Sequence, residues 1–273
     1  MIDSRATLVN GVPGAQVSAF DRGLHYGDGL FETLRCEQGR VRWFDRHLAR
    51  LGAGCMRLGI AMPDSALLRS EVEAAVAEAG MERALVKIIV TRGESRRRGY
   101  RPGGDERVTR IVSAYPWPGP IGAEFRVGLS PVTLGSNPQL AGIKHLNRLE
   151  QVLAQRAAAA AGLHEVLMRS ERGEVVCGSM SNVYLWQERE LLTPGLADCG
   201  VAGIVRALVL ELAPRLGLAV RTGRVSVAQL ADARAIIVSN VRLGLQPVHW
   251  YEGRPLEVDV RGARLQELID GTH

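Results

Sequence analysis

The sequence predicts a two-part α/β (α+β) fold, and three observations carry that prediction. Short apolar stretches bounded by turn residues are interleaved with longer stretches of helical period. Near the middle, Pro116, Pro118 and Pro120 break the pattern and mark a boundary. The composition, 46% apolar and 23% charged over 273 residues, is that of an ordinary folded chain of one or two domains. The expected organisation is a small N-terminal domain, 1–115, a proline-rich linker, 116–123, and a larger C-terminal domain, 124–273, that carries Lys144.

The first element is a hairpin, because Asn10-Gly11 inside LVNGV is a strong two-residue turn signal. Strands follow over 31–35 and 41–44, joined by the Gln38-Gly39 turn. A helix over 45–59 gathers Leu48, Leu51, Cys55, Met56 and Leu58 largely along one stripe. Pro63-Asp64-Ser65 opens a second helix running through Leu67, Leu68, Val72, Ala75 and Val76. Strands over 84–91 and 108–114 return to the same sheet. The second part reads as a strand over 125–129, a helix over 145–161, strands over 165–168, 175–177 and 182–186, a helix over 205–216, a strand over 235–239 and a terminal helix from 261. The loop ADCGVAG precedes the helix that begins near Gly203. Exposed N–H groups and the dipole at such a helix start make an anion site.

Composition excludes several classes. No run reaches the roughly 18 apolar residues of a membrane span, and MIDSRATLVNGVPG has neither a basic region nor an apolar stretch of the secretory kind, so a cytoplasmic protein is expected. Cys36, Cys55, Cys177 and Cys199 lack metal-ligand spacing and read as reduced thiols. The net charge of +5 is dispersed among acidic residues; only Arg96-Arg97-Arg98 clusters, which does not make a nucleic-acid groove. Of the 34 basic residues only two, Lys87 and Lys144, are lysines, so any chemistry that needs a side-chain amine chooses between them.

Lys144 sits in AGIKHLNRLEQ among His145, Asn147 and Arg148, cations and polar groups of the kind that lower a lysine pKa for nucleophilic use. The plain alternative is a surface lysine at a helix start. Lys87, in the apolar strand ALVKIIV, is the rival amine, or an outward-pointing residue at a sheet edge. DRGLHYGDGLFETLR reads as a glycine-rich turn presenting His25, Tyr26 and Asp28, then a strand with Glu32, Thr33 and Arg35; it lacks the spacing of a phosphate loop. Arg98-Gly99-Tyr100 offers a planar guanidinium and a phenol to a carboxylate, or is a solvated loop tip.

Taken together, DRGLHYGDGLFET, RGY, AGIKHLNRLEQVLA, SNVYLW, GVAGIVR and VSNVRLGLQPV resemble the fold-type IV pyridoxal 5′-phosphate enzymes over nearly the whole chain, and within them most closely the aminodeoxychorismate lyases. The resemblance implies two α/β domains with the cofactor at their interface. It also implies a homodimer and conversion of 4-amino-4-deoxychorismate to 4-aminobenzoate and pyruvate, a step toward folate. The alternative within the same fold is an aminotransferase acting on D-alanine or branched-chain amino acids; a non-catalytic protein that keeps the fold is the alternative outside it.

By resemblance, Lys144 matches the Schiff-base lysine that also shuttles the proton, with Thr33 or a water assisting. Arg50 matches the arginine on the cofactor phosphate, and Ile204 and Val205 the helix-start pair whose backbone N–H groups hold it. Ser239 and Asn240 match a further polar pair near that phosphate. His25, Arg98, Tyr100 and Asn147 match the substrate side. One departure stands out. Five residues before Asn182, where the family carries a glutamate on the pyridine nitrogen, this chain has Cys177, and Glu174 falls on the opposite parity of the strand. A neutral thiol would leave the ring a poorer electron sink, which burdens transamination more than an elimination that forms an aromatic product. No metal, nucleic acid or membrane partner is expected.

Overall fold

Alternation in the first part becomes one antiparallel sheet with helices on one of its faces. The computed structural model describes residues 6–119, 121, 124–187 and 189–272, and divides into two compact units. The first comprises residues up to 119 together with Ile143–Asn147; the second takes the rest.

In the first unit, strands β1 (Ala6–Val9), β2 (Val12–Pro13), β3 (Gly29–Glu37), β4 (Arg40–Val41), β5 (Arg83–Thr91) and β6 (Thr109–Pro116) form a sheet in the order β2-β1-β6-β5-β3-β4. The short helix α1 (Arg22–Tyr26) precedes β3, and α2 (Phe44–Leu58) and α3 (Ser65–Ala79) lie between β4 and β5. Period-two side chains sort the sheet into two faces. Leu30, Leu34, Val86, Ile88, Val112 and Ala114 are buried on one face, with α2 on β3 and α3 on β1, β5 and β6. Gly54 of α2 is required there, because a Cβ would come within 2.8 Å of the Leu30 side chain. The opposite face carries Phe31, Thr33, Arg35, Leu85, Lys87 and Ile89, all half-buried.

Three local expectations change. The strand over 41–44 ends at Val41, because Trp43 adopts a left-handed conformation (φ 53°) and α2 starts at Phe44. The turn at 21–27 is the helix α1, capped by Asp21, whose carboxylate accepts from Gly23 N at 2.7 Å, and closed by Gly27 at φ 64°. The helix expected from His145 begins at Leu149 as α4 (Leu149–Ala160). Residues 143–147 instead spend their backbone on β3: Phe31 N donates to Lys144 O at 2.9 Å and Leu146 N to Gly29 O at 3.0 Å. Lys144 therefore groups with the N-terminal unit, not with the C-terminal part assigned to it from sequence. Within the expected linker, residues 120, 122 and 123 lie outside the described residues.

The second unit holds two five-stranded sheets. One, from β7 (Arg126–Leu134), β8 (Glu165–Ser170), β9 (Val175–Gly178), β15 (Trp250–Tyr251) and β16 (Arg254–Pro255), has the order β16-β15-β7-β8-β9. The other, from β10 (Asn182–Gln187), β11 (Glu190–Pro194), β12 (Ala219–Gly223), β13 (Ala235–Asn240) and β14 (Gly244–Pro247), has the order β12-β11-β10-β13-β14. Val127, Leu167 and Val175 meet Val183, Leu185, Leu192, Ile236 and Val238 in a shared core. A second cluster joins Ala154 and Ala158 of α4 to Val166, Met168, Val176 and Cys177. Helices α5 (Ile204–Leu212), α6 (Val227–Ala231) and α7 (Arg261–Asp270) complete the unit; the helix expected to run to 216 tightens into a 3₁₀ turn at Ala213–Leu216, where Pro214 sits.

Candidate active site

In the first unit the bond pair between 143–147 and β3 fixes where Lys144 emerges. Its amine lies 4.2 Å from the centroid of the Phe31 ring, on the sheet face away from the helices. Thr33, two residues further along β3, projects from the same face. Structure thus brings Lys144 and Thr33 onto one surface.

Arg50 lies across the strand, on the helix side, and it is not alone there. Its Nε donates to Glu32 Oε1 at 2.8 Å and its Nη2 to Glu32 Oε2 at 2.5 Å, while His47 Nδ1 contacts Glu32 Oε2 at 2.7 Å. Glu32 is 1% exposed and His47 0%. Burial by itself would raise the Glu32 pKa; the Arg50 charge and the hydrogen bonds from Arg50 and His47 outweigh it and hold the carboxyl at about 2. Burial pushes His47 down, so the imidazole is neutral, donates Nδ1–H to Glu32, and leaves a buried Nε2 with no hydrogen-bond partner among the described residues. Sequence reasoning placed Glu32 on a strand and passed over His47. The available signal was spacing: His47 and Arg50, three apart on α2, share a helix face.

The expected substrate-side residues gather around α1 with different degrees of exposure. Arg22 donates to Gly99 O at 3.1 Å and Tyr100 O at 2.7 Å, docking the RGY loop, and pairs with Asp28 at 2.8 Å. Arg92 grips the same Asp28 carboxylate at 2.8 Å. Tyr100 stacks edge-on against Tyr26 yet is 84% exposed, and Arg98 is exposed. The His25 Nε2 lies 2.7 Å from Ala19 O, within its own loop. Asn147 Nδ2 donates to Gly27 O at 3.3 Å, which ties the segment after Lys144 to the end of α1.

The second unit holds the other expected residues. Gly203 stands at the N-cap of α5 and has no side chain, so it offers no capping oxygen of its own to the N–H groups of Ile204 and Val205 that open the helix. Asn182 Nδ2 donates to Val201 O at 3.0 Å, anchoring the preceding loop beside Ser239, its neighbour across β10 and β13. The Ser239 hydroxyl is 2.9 Å from Tyr184 Oη and fully buried. Asn240 is committed to its turn: Nδ2 donates to Met180 O and Oδ1 accepts from Leu243 N. Burial, with Cys199 and Glu165 nearby, pushes the Cys177 thiol up to about 12, so it stays protonated. Glu174 pairs with Arg224 at 3.4 Å. A further carboxylate, Glu165, is 0% exposed and accepts from Ser181 Oγ at 2.8 Å, from Ser179 N at 3.1 Å and from Met180 N at 3.3 Å, which shapes the turn into β10.

Comparison with known proteins adds to this geometry. The family model described as Amino-transferase class IV matches residues 29–251. The aminodeoxychorismate lyase of Vibrio harveyi is 31% identical over 268 residues, covering 96% of this chain and 97% of that protein. The crystal structure of 4-amino-4-deoxychorismate lyase from Pseudomonas aeruginosa superposes with a TM-score of 0.89 at 41% identity, covering 97% of this chain and 98% of that one. The Escherichia coli branched-chain amino acid aminotransferase shares the fold, with a TM-score of 0.88 at 21% identity over 98% of this chain and 94% of its own.

Proposed function

The chain belongs to the class IV amino-transferase family, and from that premise we propose that it is a pyridoxal 5′-phosphate-dependent lyase that converts 4-amino-4-deoxychorismate to 4-aminobenzoate and pyruvate, a cytoplasmic step toward folate. The observation that carries this reading is the Lys144 amine held over Phe31 on the same face as Thr33, in a chain whose likeness to both lyases runs nearly end to end. The residues suit the cofactor. A lysine answers its aldehyde, and an oriented arginine and an uncapped helix start answer its phosphate. When bound, the cofactor supplies a covalent attachment point for the substrate amine and a ring that withdraws electrons from the neighbouring carbon.

Lys144 takes the proton from C4 of the substrate. The C3–O bond then breaks, the ring becomes aromatic as 4-aminobenzoate, and the departing enolpyruvate is protonated at its methylene to give pyruvate. Thr33, on the same face, assists that delivery directly or through a water. By the family likeness, Arg50, fixed by Glu32, would hold the phosphate from the first unit, and the backbone N–H groups of Ile204 and Val205, with Ser239 and Asn240, are assigned to it in the second. Cys177, by its place in the family pattern, would face the ring nitrogen as a neutral thiol, which would favour elimination over amino-group transfer. His25, Arg98, Tyr100 and Asn147 are assigned to the substrate side.

A homodimer is part of the proposal. Phe20 (64% exposed), Leu24 and Tyr100 in the first unit, and Leu149, Val152 and Leu153 along one side of α4 in the second, present apolar surface of the kind a second copy covers. Among the described residues no helix is long and apolar enough to cross a membrane. Purified, cofactor-loaded protein supplied with 4-amino-4-deoxychorismate is expected to release 4-aminobenzoate and pyruvate in equal amounts, and Lys144→Ala to release neither. Absence of product from loaded wild-type protein, with amino-group transfer to a keto acid in its place, refutes the reading in favour of an aminotransferase.

A further inference from the structure

The long connection between β5 and β6, residues 92–108, carries the Arg98-Gly99-Tyr100 motif and is braced within itself. At its base Gly93 takes φ 96°, and a Cβ there would meet Arg107 O at 1.7 Å, so the two ends of the loop touch. Toward its far end, Gly103 N and Gly104 N donate to the two oxygens of the Glu106 carboxylate at 2.5 and 2.8 Å, and Ser95 Oγ accepts from Arg97 N at 3.2 Å. These contacts fix the shape of the loop. They do not fix where it lies on the unit.

That position is set from α1. Arg22 is only 3% exposed, and its guanidinium donates through Nε to Asp28 and through Nη1 and Nη2 to the Gly99 and Tyr100 carbonyls. A weaker tie, Ser95 N to Phe20 O at 3.4 Å, lies nearer the base. Because Arg22 grips backbone, the Arg98 and Tyr100 side chains stay exposed. Burial would raise the Asp28 pKa; the hydrogen bonds and charges of Arg92 and Arg22 outweigh it, so the carboxylate stays ionised. Arg92 shares that carboxylate and turns its other donors to the end of α2, at Gly59 O (2.6 Å) and Leu58 O (2.7 Å). Asp28 thus joins two arginines that hold different segments, Arg92 the helix and Arg22 the loop. Without Arg22, Asp28 keeps Arg92, and no buried charge is left stranded.

We propose that Arg22 is a positioning residue for substrate binding, a latch that docks the loop on α1 and so sets where Arg98 and Tyr100 meet the substrate. The inference rests on the assignment of those two residues to the substrate side, and on the lyase reading for the identity of the substrate. Arg22 touches no reacting atom; it acts through the Gly99 and Tyr100 carbonyls. Once it is lost, the loop samples other positions, and part of the binding energy goes into reordering it. Affinity falls, while the proton work of Lys144 is untouched.

The test compares Arg22→Met and Arg92→Met with wild type, all cofactor-loaded. Trypsin reads the loop directly, since it cuts after the exposed Arg96, Arg97 and Arg98 and needs extended chain on both sides of the bond, Gly99 and Tyr100 included. A hydrogen bond from a charged group is worth about tenfold or more in an equilibrium. Arg22→Met is expected to be cut in this segment about tenfold faster than wild type, and to raise KM for 4-amino-4-deoxychorismate about tenfold with kcat within about threefold. Its cofactor loading and urea midpoint are expected to match wild type. Arg92→Met is expected to lower the urea midpoint and to leave cleavage of the segment within about threefold of wild type. Wild-type cleavage and KM in Arg22→Met overturn the latch. So does a joint fall of kcat, cofactor loading and urea midpoint in Arg22→Met, which makes Arg22 a packing residue. Equally fast cleavage in Arg92→Met overturns it too, because the hold then belongs to the whole Asp28 cluster. Faster cleavage of Arg22→Met at unchanged KM overturns its bearing on substrate. Wild-type protein that forms no 4-aminobenzoate, while Arg22→Met still opens the loop, upholds the latch and removes the lyase reading.

Discussion

Replacing Glu32 by glutamine keeps the side chain's shape and removes its charge from the centre of the Arg50 and His47 contacts. The carboxyl, held at about 2 against an ordinary value of 4.5, is stabilised as an anion by about 3 kcal/mol relative to its protonated form. That agrees with the 3–5 kcal/mol typical of breaking a buried pair by removing one partner. Because the folded-state pKa is depressed, the contribution is complete above pH 4.5 and is lost as the pH falls toward 2. Urea unfolding of the cofactor-free proteins, followed by circular dichroism, is expected to show Glu32→Gln less stable by about 3 kcal/mol at pH 7, with the gap closing steadily below pH 4.5. Equal stability at pH 7, or a gap that does not narrow with acid, would refute the account of this cluster.

Two other expectations follow from single contacts. Cys177→Glu installs an acid at the ring-nitrogen position and is expected to raise amino-group transfer relative to elimination, measured as the ratio of keto-acid amination to 4-aminobenzoate release; an unchanged ratio counts against the role given to the thiol. Gly27→Ala forces a left-handed φ of 64° on a residue with a Cβ and drives that carbon into the Asn147 amide. A loss of about 1–2 kcal/mol in thermal or urea unfolding is expected, and wild-type stability in this variant sinks the argument.

Much of the fold was legible because its signals are local. The Asn10-Gly11 hairpin, the two helices after β4 and the strands of ALVKIIVT and SNVYLW follow from period and turn chemistry, which neighbouring residues carry themselves. What escaped was decided by distant partners. Residues 145–148 have helical neighbours, yet 145–147 leave the helix because β3 offers hydrogen bonds to that segment. The strand expected over 41–44 ends at Val41, because Trp43 turns left-handed into α2, a backbone conformation unseen in a hydrophobicity pattern. The Glu32 and His47 pairing joins a strand to a helix fifteen residues on, and only the packing of α2 on β3 closes that distance. In the candidate site, amine scarcity singled out Lys144 and Lys87, while the interior place of Lys87, on a strand flanked by β3 and β6 and not at the sheet edge expected of it, required cross-strand pairing, which sequence does not display.

The short excursion of 143–147 into the first unit also bears on how the polypeptide is made. A nascent chain that has emerged only as far as residue 119 has every strand of the first sheet, but Phe31 N and Gly29 O still lack the backbone partners that Lys144 and Leu146 supply. An unpaired strand margin is a template for adhesion to other chains. Protection of that margin waits until some two dozen further residues have been synthesised, so the interval between translating 119 and 147 is the period in which a ribosome-bound N-terminal unit is most exposed to misassembly.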